Sequence, residues 1–399
     1  MVVRPNKLKN LQERHLQGIL QYVTLMQGVT KIQLSNLLGM SLSSMNELVN
    51  RLLEQGWLRQ AGTFPGDRGR KAQLFQMNPD HACLLGIDCG RKTTKAVVAD
   101  LWLRPIAIET TQTPFKESQQ TILRNIVQTA QAALRSSGKP LKKIVGGGLG
   151  LAGQVDERAG RCLNFFSKPE WNDFPIQSYL SEHLNLPFLI VGWSRGGLLA
   201  EKWFGKARNV QSLLFVHIGS TISMGMAFNG SLYLSASGVS GELGHMTAKP
   251  NGPRCYCGNQ GCLEAVASEN GILEQVASAL SEGIQSRVND YGRKDNYTYE
   301  DVVQAANDGD KLAFQVLEQT GEYLGTCVAD AINLLSPELV ILGGHVFDKA
   351  RQIIRTVEVT IRKRALETAT RNARIEFTSF GAETLVLGAA AAVFECIVT

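Results

Sequence analysis

Three cysteines and one histidine stand close together in GELGHMTAKPNGPRCYCGNQGCLEAVAS, at His245, Cys255, Cys257 and Cys262. Three thiolates and an imidazole are the ligand set a tetrahedral zinc ion prefers. Gly252, Gly258 and Gly261, with Pro253 ahead of the first cysteine, permit the tight turns that aim these side chains at one point. Cys255 and Cys257 are too close along the chain for an easy disulfide with each other, and nothing marks the chain as secreted. Four protein ligands leave no open position, so the expected role of one Zn2+ per chain is structural, not catalytic.

The elements around this stretch alternate. From Ala82 onward, CLLGIDCG reads as a buried strand entering a glycine turn, and TTKAVVADL as its hairpin partner. Residues 119–136 read as a helix, LKKIVGGGLGL as another strand, and 198–204 as part of a helix. SLLFVHIG and ISMGMAFNG follow as strands joined through Ser220 and Thr221. Beyond the cysteines come helices near 269–286, 299–307 and 311–334, a buried strand LVILGG, and an alanine-rich closing helix. Two similar blocks of strands and helices predict a two-lobed α/β body with a cleft. Gly148-x-Gly150-x-x-Gly153 formally matches a dinucleotide fingerprint, but the following GQVDERAG is a polar turn where that motif needs a helix.

The chain has 399 residues, of which 44% are hydrophobic, enough for more than one core. No run of about 18 uninterrupted apolar residues is present, and residues 385–394 are too short to span a bilayer, so a cytosolic protein without membrane insertion is expected. The remaining cysteines, at 83, 89, 162, 327 and 396, are expected to be buried free thiols. Charge is unevenly placed: residues 1–80 carry ten Lys/Arg against five Asp/Glu, and residues 81–399 carry 31 of each. The whole net charge of +5 therefore lies in the first fifth of the chain, as in a nucleic-acid-binding head on a neutral body.

The first eighty residues are patterned accordingly. Apolar positions at helical spacing predict a helix over about residues 8–26. Thr30-x-x-Gln33 is a capping box for a short helix closed by Gly39, and Ser41 can cap the next, with Leu42, Met45, Leu48, Val49, Leu52 and Leu53 facing a core. Two short helices joined by Gly-Met-Ser are a helix-turn-helix signature. The outer face of the second carries Ser43, Ser44, Asn46, Glu47 and Asn50, with Arg51 near its end, side chains suited to base edges and phosphates. A strand at 57–60, a turn over 63–71 and a strand at 72–77 form a wing whose tip presents Arg68, Arg70 and Lys71. Thr30, Ser41, Ser43, Ser44, Asn46, Glu47, Asn50, Arg51, Arg68, Arg70 and Lys71 are thus the candidate DNA contacts.

GIDCG, GLAGQVD, residues 164–171, AEKWFG, GELGH, CYCGNQGCLE, LSPELVILGG and LGAAAA together give a resemblance over nearly the full length. The chain resembles the ROK family of bacterial repressors, open reading frames and sugar kinases, and in layout its Mlc/NagC-type transcriptional regulators. The resemblance implies a winged helix-turn-helix followed by a two-lobed actin-like, hexokinase-type α/β body, with sugar between the lobes and a dimer or tetramer as the assembly. It also implies that Asn164, Glu242, His245 and Glu264 stand where the family holds sugar hydroxyls. The kinases of the family carry an Asn-Asp pair whose Asp is the general base; counting back from Ala200-Glu201, Trp193 falls at that position. Indole cannot accept the proton. The first phosphate loop, Asp88 to Thr93, ends in Arg91 and Lys92, and the second, Gly219 to Gly225, has lost its glycine density. Trp193 and Arg195 are then expected in or near the pocket, the indole to stack on a sugar ring and the guanidinium to meet an acid or phosphate.

The expected function is a repressor that binds operator DNA and responds to a small carbohydrate-like effector or a partner protein, without kinase activity. The rival readings are a sugar kinase with a DNA-binding extension and a DNA-free scaffold for a transporter component. The expected domains are the head at 1–80, a first lobe at 81–200 joined by the C-terminal helix at 380–399, and a second lobe at 201–379 carrying the metal motif.

Overall fold

The computed structural model describes residues 11–64, 71–165, 168–235, 239–291 and 297–399. At the N-terminal end, α1 (Leu11–Met26), α2 (Lys31–Leu38) and α3 (Leu42–Glu54) precede a hairpin of β1 (Leu58–Phe64) and β2 (Ala72–Met77). The Thr30 hydroxyl accepts from the Gln33 N–H at 3.2 Å while Gln33 Oε1 accepts from the Thr30 N–H at 2.9 Å, so the capping box forms. Ser41 caps α3 through the Ser44 N–H. Met45, Leu48, Val49 and Leu52 are buried as expected, but Leu42 is 46% exposed. It lies in the first turn of α3, beyond the edge of the three-helix core. The first wing strand runs further than expected, to Phe64, and the wing tip with Arg68 and Arg70 lies outside the described residues.

The first sheet of the body is built from β3 (Cys83–Cys89), β4 (Thr93–Asp100), β5 (Pro105–Gln112), β6 (Ile144–Leu151) and β9 (Phe188–Gly192), in the order β5-β4-β3-β6-β9. Helices α4 (Gln119–Ser136) and α5 (Ile176–Leu184) make its connections, and β7 (Gln154–Asp156) pairs with β8 (Arg161–Asn164) at its edge. After α6 (Trp193–Phe204) comes the second sheet, of β10 (Leu213–Ile218), β11 (Ile222–Phe228), β12 (Ser231–Leu232), β13 (Leu339–Gly343) and β14 (Arg374–Phe377). Its order is β12-β11-β10-β13-β14. Each sheet is an antiparallel meander of three strands extended by two parallel ones. This repeat is the two-lobed α/β body the alternating pattern predicted, in the actin-like form the resemblance implied.

Between β12 and β13 lie the metal motif and α7 (Leu263–Ala267), α8 (Glu269–Ser281), α9 (Val288–Tyr291), α10 (Tyr299–Asn307) and α11 (Lys311–Leu335). Then follow α12 (His345–Lys349), α13 (Arg351–Arg364), α14 (Glu367–Thr370) and the closing α15 (Thr384–Val398). No helix follows Gly153: the chain enters the β7–β8 hairpin, so the fingerprint match is rejected by structure as well. Gly148 is explained by packing instead, since a Cβ there would stand 2.1 Å from the Ala389 carbonyl oxygen of α15. The stretch Gly381–Val398 corrects one expectation, because it is long and apolar enough by composition to cross a membrane; 67% of it is buried inside the fold. It is a core helix resting on α6, β3 and β6.

The head is packed on the body. Leu16, Ile19, Leu20 and Val23 of α1 share one hydrophobic cluster with Leu199, Trp203 and Phe204 of α6 and with Phe394 and Ile397 of α15. Inside that joint the Gln17 amide donates to the Ile397 carbonyl at 3.2 Å, and both groups are buried. Four of the five other cysteines are buried as expected, whereas Cys396 is exposed, because it lies on the outer side of the last turn of α15.

Candidate functional site

The four candidate metal ligands are brought together by the loop between β12 and α7. Gly241 enters it at φ 76°, where a Cβ would stand 1.6 Å from the Met224 carbonyl oxygen, so only glycine fits against β11. Cys255 donates its N–H to Asn259, Gly258 to Cys255 and Gly261 to Pro253, which folds the CYCGNQGC run back on itself. The ligand atoms of His245, Cys255, Cys257 and Cys262 all lie within 4.8 Å of one another. Cys257 Sγ is 3.7 Å from Cys262 Sγ, and Cys255 Sγ is 3.7 Å from His245 Nδ1. A tetrahedron with metal–sulfur bonds of about 2.3 Å has edges of about 3.8 Å, so the four residues fit a single four-coordinate metal ion. The Nε2 side of His245 faces away from the cysteines, 3.3 Å from the Tyr256 hydroxyl and 3.7 Å from Glu242 Oε2. Such outer partners orient a metal-bound imidazole.

Beside the cluster, a cavity of about 260 Å3 opens between the β6–β7 turn, the start of α6, β11 and the metal loop. Asn164, Trp193, Arg195, Glu242, His245 and Glu264 all line it, so the six residues named from the sequence converge. Glu264 is buried and accepts the Ile222 N–H at 2.8 Å through Oε2. Burial pushes its pKa up to about 7, against the lowering effect of the Ile222 N–H and the Tyr256 hydroxyl. Burial likewise raises Glu242. Arg195 reaches the cavity with its charge already matched, because its guanidinium forms a buried ion pair with Glu157, whose other oxygen accepts the Gly192 N–H at 2.8 Å. The carboxylate of Asp173 stays outside the cavity and pairs with Arg161.

Trp193 is the first residue of α6 and stands between this cavity and a second one of about 290 Å3. Its indole packs over Gly90 and Gly150 and meets the His217 ring edge-on at 5.4 Å. The second cavity is lined by Asp88, Arg91, Lys92, Lys95, His217, Glu269 and His345, among others. Burial lifts Asp88 to about 7, more than Lys95 and the nearby Trp193 N–H lower it, although neither Asp88 Oδ1 nor the indole N–H closes a full hydrogen bond. Burial, and then His345, hold His217 down at about 3, so its ring is neutral. Across this cavity Glu269 accepts from Lys92 and meets His345 Nε2 at 2.8 Å.

On the head, Ser43, Glu47, Asn50 and Arg51 are exposed along α3, and Asn46 is half-buried. Three nominated hydroxyls have local work: Thr30 is buried in its capping box, and Ser41 and Ser44 bond each other at 3.0 Å in the α3 cap. Lys71 is exposed at the base of the wing. The sequence did not single out Lys31, whose Nζ donates to Asn50 Oδ1 at 2.9 Å and lies 5.4 Å from the Phe75 ring centre. Nor did it single out Glu157 or Tyr256. The signal for Tyr256 was available: it is the residue held between two cysteine ligands.

The chain is 26% identical over 367 residues to the xylose repressor of Caldicellulosiruptor bescii, covering 92% of each protein. It is 26% identical over 339 residues to the DNA-binding transcriptional dual regulator NagC of Escherichia coli K12, covering 85% of this chain and 82% of that one. Its fold matches the crystal structure of a ROK family transcriptional regulator, a homolog of the E. coli MLC protein, with a TM-score of 0.81 at 24% identity over 98% of this chain and 97% of that one. Residues 84–395 match the ROK family, and with the two-lobed body, the metal loop and the cleft in place, the chain belongs to that family.

Proposed function

We propose that the protein is a DNA-binding transcriptional repressor of carbohydrate genes, acting in the cytoplasm as a homo-oligomer and answering to a small carbohydrate-like effector. The observation that carries this reading is α6. Its first residue, Trp193, lines the cleft cavity, and its last turn, Trp203 and Phe204, sits in the hydrophobic cluster that holds the head. A relative named as a xylose repressor and one named as a DNA-binding dual regulator, each matched over most of its length, support it. Residues 1–80 are the DNA-binding head, 81–200 with 380–399 the first lobe, and 201–379 the second.

Asn164, Glu242, His245 and Glu264 supply amide, carboxylate and imidazole groups for sugar hydroxyls, and Trp193 a ring to stack on. The metal cluster holds one structural Zn2+, which cross-links the loop and fixes the His245 ring. Ser43, Asn46, Glu47 and Asn50 face base edges, while Arg51, Lys71 and the wing-tip Arg68 and Arg70 meet phosphates. The effector acts by binding one arrangement of the heads better than the other. Phosphoryl transfer is absent in this reading, because the aromatic Trp193 stands where the family's base belongs and lines both cavities.

Fluorescence anisotropy with DNA from the protein's own upstream region, with and without a panel of aldoses, tests the proposal. Binding relieved by one aldose is the expected outcome. Failure to bind any genomic fragment at low salt would sink it, and so would clear turnover of a hexose with ATP that depends on a cleft residue.

A further inference from the structure

Tyr256 lies between the metal ligands Cys255 and Cys257, and its ring stands in the wall of the cleft cavity. The ring meets His245 edge-on, with centres 5.4 Å apart at 79°. Its hydroxyl is 3.3 Å from His245 Nε2 and lies against the Glu264 carboxylate. Because Nδ1 is the ring atom turned toward Cys255, Nε2 is the one presented to the cavity. With Nδ1 committed to a metal, the neutral ring carries its proton on Nε2. Nε2–H can then donate to the phenol oxygen, which leaves the phenol O–H to turn toward the neighbouring Glu264 carboxylate. One hydroxyl accepts and donates at once, which is the pair of bonds a polyol hydroxyl makes at the same two groups.

We propose that Tyr256 is a built-in competitor for the effector: its hydroxyl occupies the position between His245 and Glu264 that a ligand hydroxyl must take. The inference rests on reading the cavity as a carbohydrate site. It narrows the ligand class to small polyhydroxy compounds that can displace one phenol and fit a cavity of about 260 Å3. Because Tyr256 is flanked by two metal ligands, its displacement is felt first by the metal loop.

The test uses the full-length chain and its Tyr256→Phe variant at equal zinc content, titrated calorimetrically with D-xylose and D-glucose. The variant keeps the ring and loses the competing hydroxyl, so it binds whichever aldose the parent binds about three- to tenfold more tightly. An ordinary ligand contact predicts the opposite sign, so weaker or unchanged binding by the variant overturns the proposal. If neither protein binds either sugar, the reading fails for these two aldoses, and the contact is judged without ligand from the His245 ring 15N shifts. An Nε2 resonance that moves on removing the hydroxyl supports the internal bond, and one that stays in place overturns it.

Discussion

Trp193 lines both cavities, packed over Gly90 and Gly150 and against His217. Replacing it with alanine joins the cavities and removes a buried aromatic, at a cost of about 3–5 kcal/mol in urea unfolding. A loss below about 1 kcal/mol would mean that the neighbours close over the gap. At the metal loop, Cys262→Ala removes one of four ligands, and Cys262 is fully buried. A zinc-binding dye assay should then fall from about one ion per chain to none, with repression lost although the head is untouched. Repression that survives without zinc would reduce the cluster to a local staple. These two sites were unequally legible. The ligand set could be read directly, because thiolates and imidazole at that spacing have few other uses. That Trp193 lines two cavities could not, since its partners Gly90, Gly150 and His217 are distant in sequence. The same holds for Arg195, whose ion pair with Glu157 spans 38 positions (195 − 157).

Between elements, the clearest electrostatic joint is Glu269 at the start of α8, held by Lys92 from the β3–β4 turn and by His345 at the start of α12. Burial pushes its carboxyl up, but hydrogen bonds and charge from His345 and Lys92 outweigh this and hold it at about 2, below the usual 4.5. A depressed carboxyl stabilises the fold fully above its unfolded value, and the contribution is lost as pH falls from about 4.5 through about 2. Urea midpoints measured between these limits should drop with acid in the parent chain and less steeply in Glu269→Gln. Equal slopes would show that Lys92 and His345 leave Glu269 unbound in solution. The elements themselves were largely readable where local chemistry decides them. Thr30–Gln33 and Ser41 announce their caps, and α4, with an apolar stripe and a Ser118 cap, begins and ends where its pattern does. Misreadings fall where tertiary packing decides: Leu42 has the right spacing for a core but lies past its edge, and Cys396 turns outward near the end of a mostly apolar helix.

For the whole molecule, the proposed DNA contacts divide into two kinds with separable signatures. Arg51→Ala or Lys71→Ala should weaken binding on all sequences and lower the slope of log affinity against log salt by about one each. Asn46→Ala should leave the slope alone and change which operator is preferred, as read by competition among operator variants. A uniform loss for Asn46→Ala would make it a phosphate contact. The joint between head and body, with Gln17 bonded to Ile397 inside a continuous apolar cluster, has a consequence for the DNA. A head on a slack tether can follow a half-site around the duplex, but a head bolted to its lobe cannot. Each inserted base pair rotates one half-site by about 35° relative to the other. Binding by an oligomer of this chain should therefore rise and fall with helical phase, nearly abolished by five added base pairs between half-sites and partly regained with ten. A Gln17→Gly, Leu16→Ala variant that loosens the joint should flatten that oscillation, making the protein tolerant of spacing and slower to tell its operator from a misphased imitation.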